Sequence, residues 1–148
     1  MFEKIVAAID GDPERSPRVL EASTTLAKAF KSQVLVVHVR DVERPAAMAS
    51  AAGRAGAVPP ALHFESEEEA RRLVDDAVER MRAEGVQADG QVGTGAGSTA
   101  RELLGIAKAA GASEIVVGDR GSRVSDVLLG SVAHRVVHLA EVPVLLVR

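Results

Sequence analysis

An apolar β-branched run, Ile115-Val116-Val117, stops at Gly118 and continues as Asp119-Arg120-Gly121. Farther on, Leu128-Leu129-Gly130-Ser131-Val132 opens an amphipathic helical pattern. Such spacing describes a strand that ends in bare backbone, followed by a helix whose first N–H groups are uncovered. Those N–H groups, the positive end of the helix dipole and the Ser131 hydroxyl together suit a phosphate. Taken alone, the glycine spacing favours a tight turn and an ordinary helix cap, because glycine supplies positive φ and serine caps helices widely.

A second group of chemistry-bearing residues follows the first apolar run, Asp10-Gly11-Asp12. Asp10, Asp12 and Asp119 could jointly hold a magnesium ion on a phosphate tail. Of these, Asp12 reads first as a turn residue and Asp119 as a solvated charge. His134 and His138 stand four apart, the spacing of two ligands to one zinc. No third ligand lies near them in sequence, so they read as solvent-facing or interface residues. Gly93-Thr94-Gly95-Ala96-Gly97-Ser98 lacks the dinucleotide-loop spacing and reads as a flexible turn into a helix cap. Neither a G-x-x-x-x-G-K-[ST] nor a G-x-S-x-G sequence occurs, which removes a conventional phosphate-loop ATPase and an α/β-hydrolase.

The elements that must position these residues alternate along the chain. Lys4–Asp10 is a continuous apolar run, as expected of a strand buried on both faces. Ser16-Pro17 places a cap before a proline, and Val19, Leu20, Leu26, Ala27 and Phe30 then form an apolar face. Val34–Val39 is a second buried strand. Ser66-Glu67-Glu68-Glu69 is a capping box, its acids at the positive end of the dipole, with Ala70, Leu73, Val74, Ala77, Val78 and Met81 behind it. Val86–Val92 is a weaker, more polar strand suited to an edge. Thr99-Ala100-Arg101-Glu102 reads as another capping box before Leu103, Leu104, Ile106 and Ala107. Glu114–Val117 is the fourth strand, Leu129, Val132, Val136 and Leu139 line the last helix, and Val144–Val147 is a fifth strand.

This order predicts one α/β domain over residues 1–148, with a five-stranded parallel sheet between helices on both faces. In such sheets the ligand crevice lies at the carboxyl ends of the strands where the winding reverses. If the first and fourth strands are neighbours there, Asp10 and Gly118–Gly121 face one crevice, and the phosphate reading gains over the turn reading. Residues 45–62 fit neither pattern; their length reads first as a surface insertion and second as a cover over a ligand or partner.

Composition narrows the function classes. A chain of 148 residues with 47% hydrophobic and 26% charged residues is globular and long enough for a full core. Its net charge of −3, three Phe and absence of Trp and Tyr argue against a nucleic-acid partner, which needs a basic face and stacking platforms. No apolar run reaches transmembrane length, and no cysteine is available for disulfides or thiolate metal sites. A cytoplasmic location and no membrane association fit these facts.

The first strand with its terminal Asp10, His38-Val39 closing the second, the Gly118/Gly121 pair and Leu128-Leu129-Gly130-Ser131-Val132 together resemble the universal stress protein family. The similarity covers essentially the whole chain and points to the ATP-binding subgroup. It implies a single-domain, three-layer α/β sandwich of strand order 3-2-1-4-5, dimeric as a rule. It also implies, position by position, an adenine-nucleotide site for ATP or AMP. Asp10, flanked by Ala8 and Ile9, would contact ribose or adenine, and could reach Mg on the phosphates; Val39 would offer backbone contacts to adenine. Val117 and Gly118 would pass beneath the ribose, while Gly121, Gly130, Ser131 and Val132 would hold the phosphates. One departure stands out: the family pattern has nine residues between the second glycine and the Gly-Ser pair, whereas Ser122 to Leu129 gives eight.

Three functions of different class follow. The first is a nucleotide-binding stress-response regulator, and the second a nucleotide-independent dimeric scaffold, which the shortened loop favours. The third is an ATP-consuming enzyme, limited to slow hydrolysis because the crevice offers no general base or nucleophile beyond its aspartates. A homodimer is expected through the C-terminal strand, residues 143–147, whose apolar edge invites pairing with its own copy.

Overall fold

Five apolar segments become strands because helices cover the sheet they form on both sides. The computed structural model describes residues 2–40, 42, 65–119 and 131–148. The chain runs β1 (Lys4–Ala8), α1 (Arg15–Phe30), β2 (Gln33–Val39), α2 (Glu67–Ala83), β3 (Ala88–Gly93), α3 (Thr99–Ala109), β4 (Glu114–Gly118), α4 (Ser131–Leu139) and β5 (Val144–Val147). The strands form one parallel sheet, as the element order predicts, with the strand order β3-β2-β1-β4-β5 that the family resemblance implies. Successive side chains alternate between two cores. Ile5, Ala7, Val34, Val36 and Val116 pack under α1 and α2. Val6, Val37, Val39, Ile115 and Val117 pack under α3 and α4.

Winding proceeds outward from β1 to β2 and β3, then returns to the other side of β1 to lay down β4 and β5. The reversal falls between β1 and β4, where Ala8 is level with Val117 and also with Val37 of β2. The carboxyl ends of these three strands therefore open at one height around the switch point.

The two sheet edges differ. On β3, Asp89, Gly90 and Gln91 are exposed and polar, which protects that edge. On β5 every residue is apolar and half-buried. Ile115 N–H bonds to the Pro143 carbonyl at 3.0 Å and Asp119 N–H to that of Val147 at 2.8 Å. In a parallel ladder this phase turns the N–H groups of Val144 and Leu146 toward the free edge. Leu145 packs toward α1 and Leu146 toward α4, so each serves a core of the monomer.

Several local expectations are corrected. Strand pairing of β1 ends at Ala8 rather than Asp10, although Ile9 N–H still reaches the Val37 carbonyl at 2.9 Å. Helix α1 starts at Arg15, ahead of the Ser16-Pro17 cap, because Asp12 Oδ1 takes the N–H groups of Glu14 (3.0 Å) and Arg15 (2.9 Å). Phe30 does not join the core; it is 53% exposed with its ring 4.9 Å from that of Phe2. The Ser66–Glu69 capping box is present in full. No Thr99 box forms: Glu102 instead accepts the N–H groups of Thr94 and Gly95 (3.0 Å for Gly95), tying the Gly93–Ser98 turn to α3. In α4, Val136 is fully buried while Leu139 is 48% exposed, and Leu129 lies outside the described residues.

Candidate functional site

The site begins where β1 runs out. Beyond Ala8 the chain turns through Gly11, whose φ of +77° suits glycine. The turn is pinned by the first residues of α1. Ser16 Oγ accepts the N–H groups of Asp10 (3.3 Å) and Gly11 (3.1 Å) and donates to Asp10 Oδ1 at 3.2 Å. The same Oδ1 accepts the Asp12 N–H at 3.0 Å. Asp10 Oδ2 takes a two-pronged contact from Arg15, 3.1 Å to Nε and 2.7 Å to Nη2. Arg15 Nη2 also lies 3.2 Å from Asp12 Oδ2. Both carboxylates thus share one guanidinium, and both oxygens of Asp10 carry partners.

Across the switch point, β4 ends at Gly118. A Cβ placed there would stand 3.3 Å from Val19 Cγ2 and 3.5 and 3.6 Å from Arg15 Cβ and Cδ. The stem of Arg15 therefore lies directly against the Gly118 backbone, so one side chain spans the gap between the ends of β1 and β4. Asp119 is corrected from the solvated charge that its position suggested. Its side chain is buried, with a carboxylate oxygen 3.3 Å from Arg148 Nε. The contact is tertiary: β5 runs alongside, with the Asp119 N–H bonded to the Val147 carbonyl at 2.8 Å and Arg148 beside the carboxylate.

The end of β2 supplies a third group. His38 is buried; its Nδ1 lies 2.9 Å from the Ile9 carbonyl and its Nε2 2.8 Å from both oxygens of Glu65. A carbonyl only accepts, so Nδ1–H donates to Ile9, and a proton must also lie between Nε2 and the Glu65 carboxylate. Arg40 Nη2 donates to the Glu65 carbonyl at 3.1 Å. Glu65 thereby joins the start of α2 to the backbone on which Asp10 stands.

Among the residues expected at the site, Ala8, Ile9, Asp10, Val39, Val117 and Gly118 come together at the carboxyl ends of three adjacent strands. Ser131 and Val132 begin α4, with Ser131 exposed and Val132 packed against the α3-side core. Gly121 and Gly130 lie outside the described residues, as do residues 45–62. Sequence reasoning missed Arg15, Ser16 and Glu65 as members of this end of the molecule. An arginine and a serine five and six residues after a strand-terminal aspartate are a readable signal for the first two. Glu65 reads in sequence only as part of the acid-rich helix start Glu65–Glu69, with nothing there to point to His38. His134 and His138 are exposed, their rings stacked 6.1 Å apart. No group of three or more metal-ligating side chains occurs among the described residues, and no helix there is long and apolar enough to cross a membrane.

The model of the universal stress protein family matches residues 1–148. The Bacillus subtilis (strain 168) universal stress protein YxiE is 36% identical over 155 residues, covering 100% of both chains. A solved universal stress protein from Archaeoglobus fulgidus superposes with a TM-score of 0.72 at 23% identity, covering 100% of this chain and 95% of that one. Another structure from the same organism, a universal stress protein in complex with dAMP, gives a TM-score of 0.68 at 23% identity, over 100% and 98% of the two chains.

Proposed function

This chain belongs to the universal stress protein family, and from that premise we propose that its switch-point crevice binds an adenine nucleotide, ATP or AMP, as a stress-response regulator in the cytoplasm. The observation that supports the reading is that Asp10 follows β1 and Gly118 ends the neighbouring β4, with Ala8 and Val117 level and Arg15 touching both ends. Gly118 has no side chain of its own, and the Arg15 stem and Val19 border the space a Cβ would take, so a nucleoside reaching the end of β4 would meet Arg15. The dAMP complex of the Archaeoglobus fulgidus relative supports a nucleotide of this class. Ala8, Ile9, Asp10, Val39, Val117 and Gly118 would line the nucleoside end. Gly121, Gly130, Ser131 and Val132 are the proposed phosphate end.

Magnesium is not assigned to Asp10. The residues present do not fit it, because the Arg15 guanidinium already lies between the Asp10 and Asp12 carboxylates. No side chain in the described crevice is placed as a nucleophile or general base, so occupancy rather than turnover is the proposed signal. A second reading, a nucleotide-independent scaffold, draws on the eight-residue spacing between Gly121 and Gly130.

Release of bound small molecules from the purified protein, followed by mass spectrometry, distinguishes the two. Adenine nucleotide should appear, or bind in calorimetry at millimolar concentration; no ATP, ADP or AMP binding would leave the scaffold. The dimer is proposed to form along β5, whose outward Val144 and Leu146 N–H groups and apolar side chains leave a template for a second copy. Light scattering should give twice the chain mass at micromolar concentration, and a monomer there removes that proposal.

A further inference from the structure

We propose that Arg15 is the residue by which this crevice tells a phosphorylated nucleoside from an unphosphorylated one, exchanging Asp10 for phosphate as the ligand enters. The inference rests on the nucleotide reading above and assigns a specific part of it.

The argument starts from Asp10. Its carboxylate already accepts from the Asp12 N–H, the Ser16 hydroxyl and both Arg15 nitrogens. A ribose hydroxyl or an adenine amino group that seeks Asp10 as acceptor must therefore compete with a charge-assisted, two-pronged contact. For a nucleoside alone, that exchange leaves the guanidinium with Asp12 and water. A phosphate changes the balance, because a planar guanidinium matches a phosphate as well as it matches a carboxylate.

Arg15 is built to make this move. Its Cβ and Cδ rest against Gly118, so the stem is held over the end of β4 while the guanidinium points back to β1. With the stem held there, turning the outer torsions would take the charged end off Asp10 toward a phosphate carried by a ribose at Gly118. The pair it leaves is not buried: the side chains of Arg15 and Asp10 are 23% and 46% exposed. Ion pairs this open to water contribute little to stability, so breaking one costs little. Asp12 offers Arg15 a second carboxylate, its Oδ2 3.2 Å from Nη2. Charge then favours phosphate a second time, because the anion offsets the cation that Asp10 has released.

Calorimetric titration of the full chain with adenosine, AMP and ATP tests the exchange in the wild type, Arg15→Gln and Arg15→Lys. The wild type should bind AMP at least tenfold more tightly than adenosine. In Arg15→Gln that preference should collapse by about tenfold, with adenosine bound as well as before or several-fold better, because Asp10 Oδ2 is released from the guanidinium. Arg15→Lys should fall between the two, keeping the charge without the fork. It also carries the test if the glutamine variant unfolds, which a thermal melt will show. Equal weakening of adenosine and AMP in the variants, or an unchanged preference, overturns the proposal while leaving the nucleotide reading intact. A wild type that binds AMP and adenosine equally overturns it as well. No binding of any of the three compounds by the wild type is a different failure, that of the nucleotide reading itself.

Discussion

The two ends of the sheet treat carboxylates differently. At the carboxyl ends of the strands, Asp10 lies against Arg15, Glu65 against His38 and Asp119 against Arg148. At the amino end of β4, Glu114 is 6% exposed and its Oε2 has no hydrogen-bond partner. Loops and helix starts converge at the first end, and each brings a cationic or protonated donor. At the other end Glu114 opens a strand between two covering layers, and burial pushes its carboxyl above the ordinary 4.5. Paired carboxylates can exchange partners with a ligand; an unpaired one only opposes folding.

The contrast can be broken most severely at His38. His38→Leu removes the donor to the Ile9 carbonyl and one partner of the Glu65 carboxylate, leaving the buried Ile9 carbonyl without the ring's hydrogen bond. Urea unfolding should show a loss of about 2–3 kcal/mol. A loss below about 0.5 kcal/mol would mean that water replaces the ring without penalty, and the carboxyl end would lose its claim to being the better-satisfied one.

Glu114→Gln tests the opposite end and should stabilise. The folded state holds the Glu114 proton more tightly than the unfolded chain does, so the contribution of Glu114 is most favourable below pH 4.5. It declines as pH rises through the elevated folded value. The glutamine variant removes that decline and should gain roughly 1 kcal/mol at pH 7 while matching the wild type more closely near pH 4. An equal difference at both pH values would show that shape, rather than charge, sets the effect.

The smallest change is expected at Arg148→Gln. The arginine side chain is 71% exposed but that of Asp119 only 2%, so losing the pair should cost more than an ordinary surface contact, up to about 1 kcal/mol, read as a small shift in Tm. A larger shift would place this pair with His38 and Glu65.

These three carboxylates also mark where sequence reasoning stops. Asp119 reads as solvated because it follows a glycine in a turn-like stretch; β5, arriving later in the chain, brings Arg148 beside its carboxylate. Glu65 precedes a capping box and has no pattern of its own, and its contact with His38 joins residues 27 apart. Arg15 was legible in principle, being local to Asp10, but its stem against Gly118 depends on the adjacency of β1 and β4. Glu102 satisfies the capping-box pattern and still turns to Thr94 and Gly95, since the preceding turn brings those N–H groups within its reach.

By itself the sequence determined the strand-helix alternation, the parallel sheet covered on both faces, the polar edge at β3 and the apolar one at β5. These follow from hydrophobic periodicity, and an apolar run wide enough for two cores has few other ways to be buried. The family was legible for a related reason: glycines at fixed spacing record where backbone must come close to something. Only the tertiary structure decided which charges meet. Partner choice among ionisable groups depends on through-space distances of about 3 Å, set by packing between elements far apart in the chain, and no periodicity encodes those.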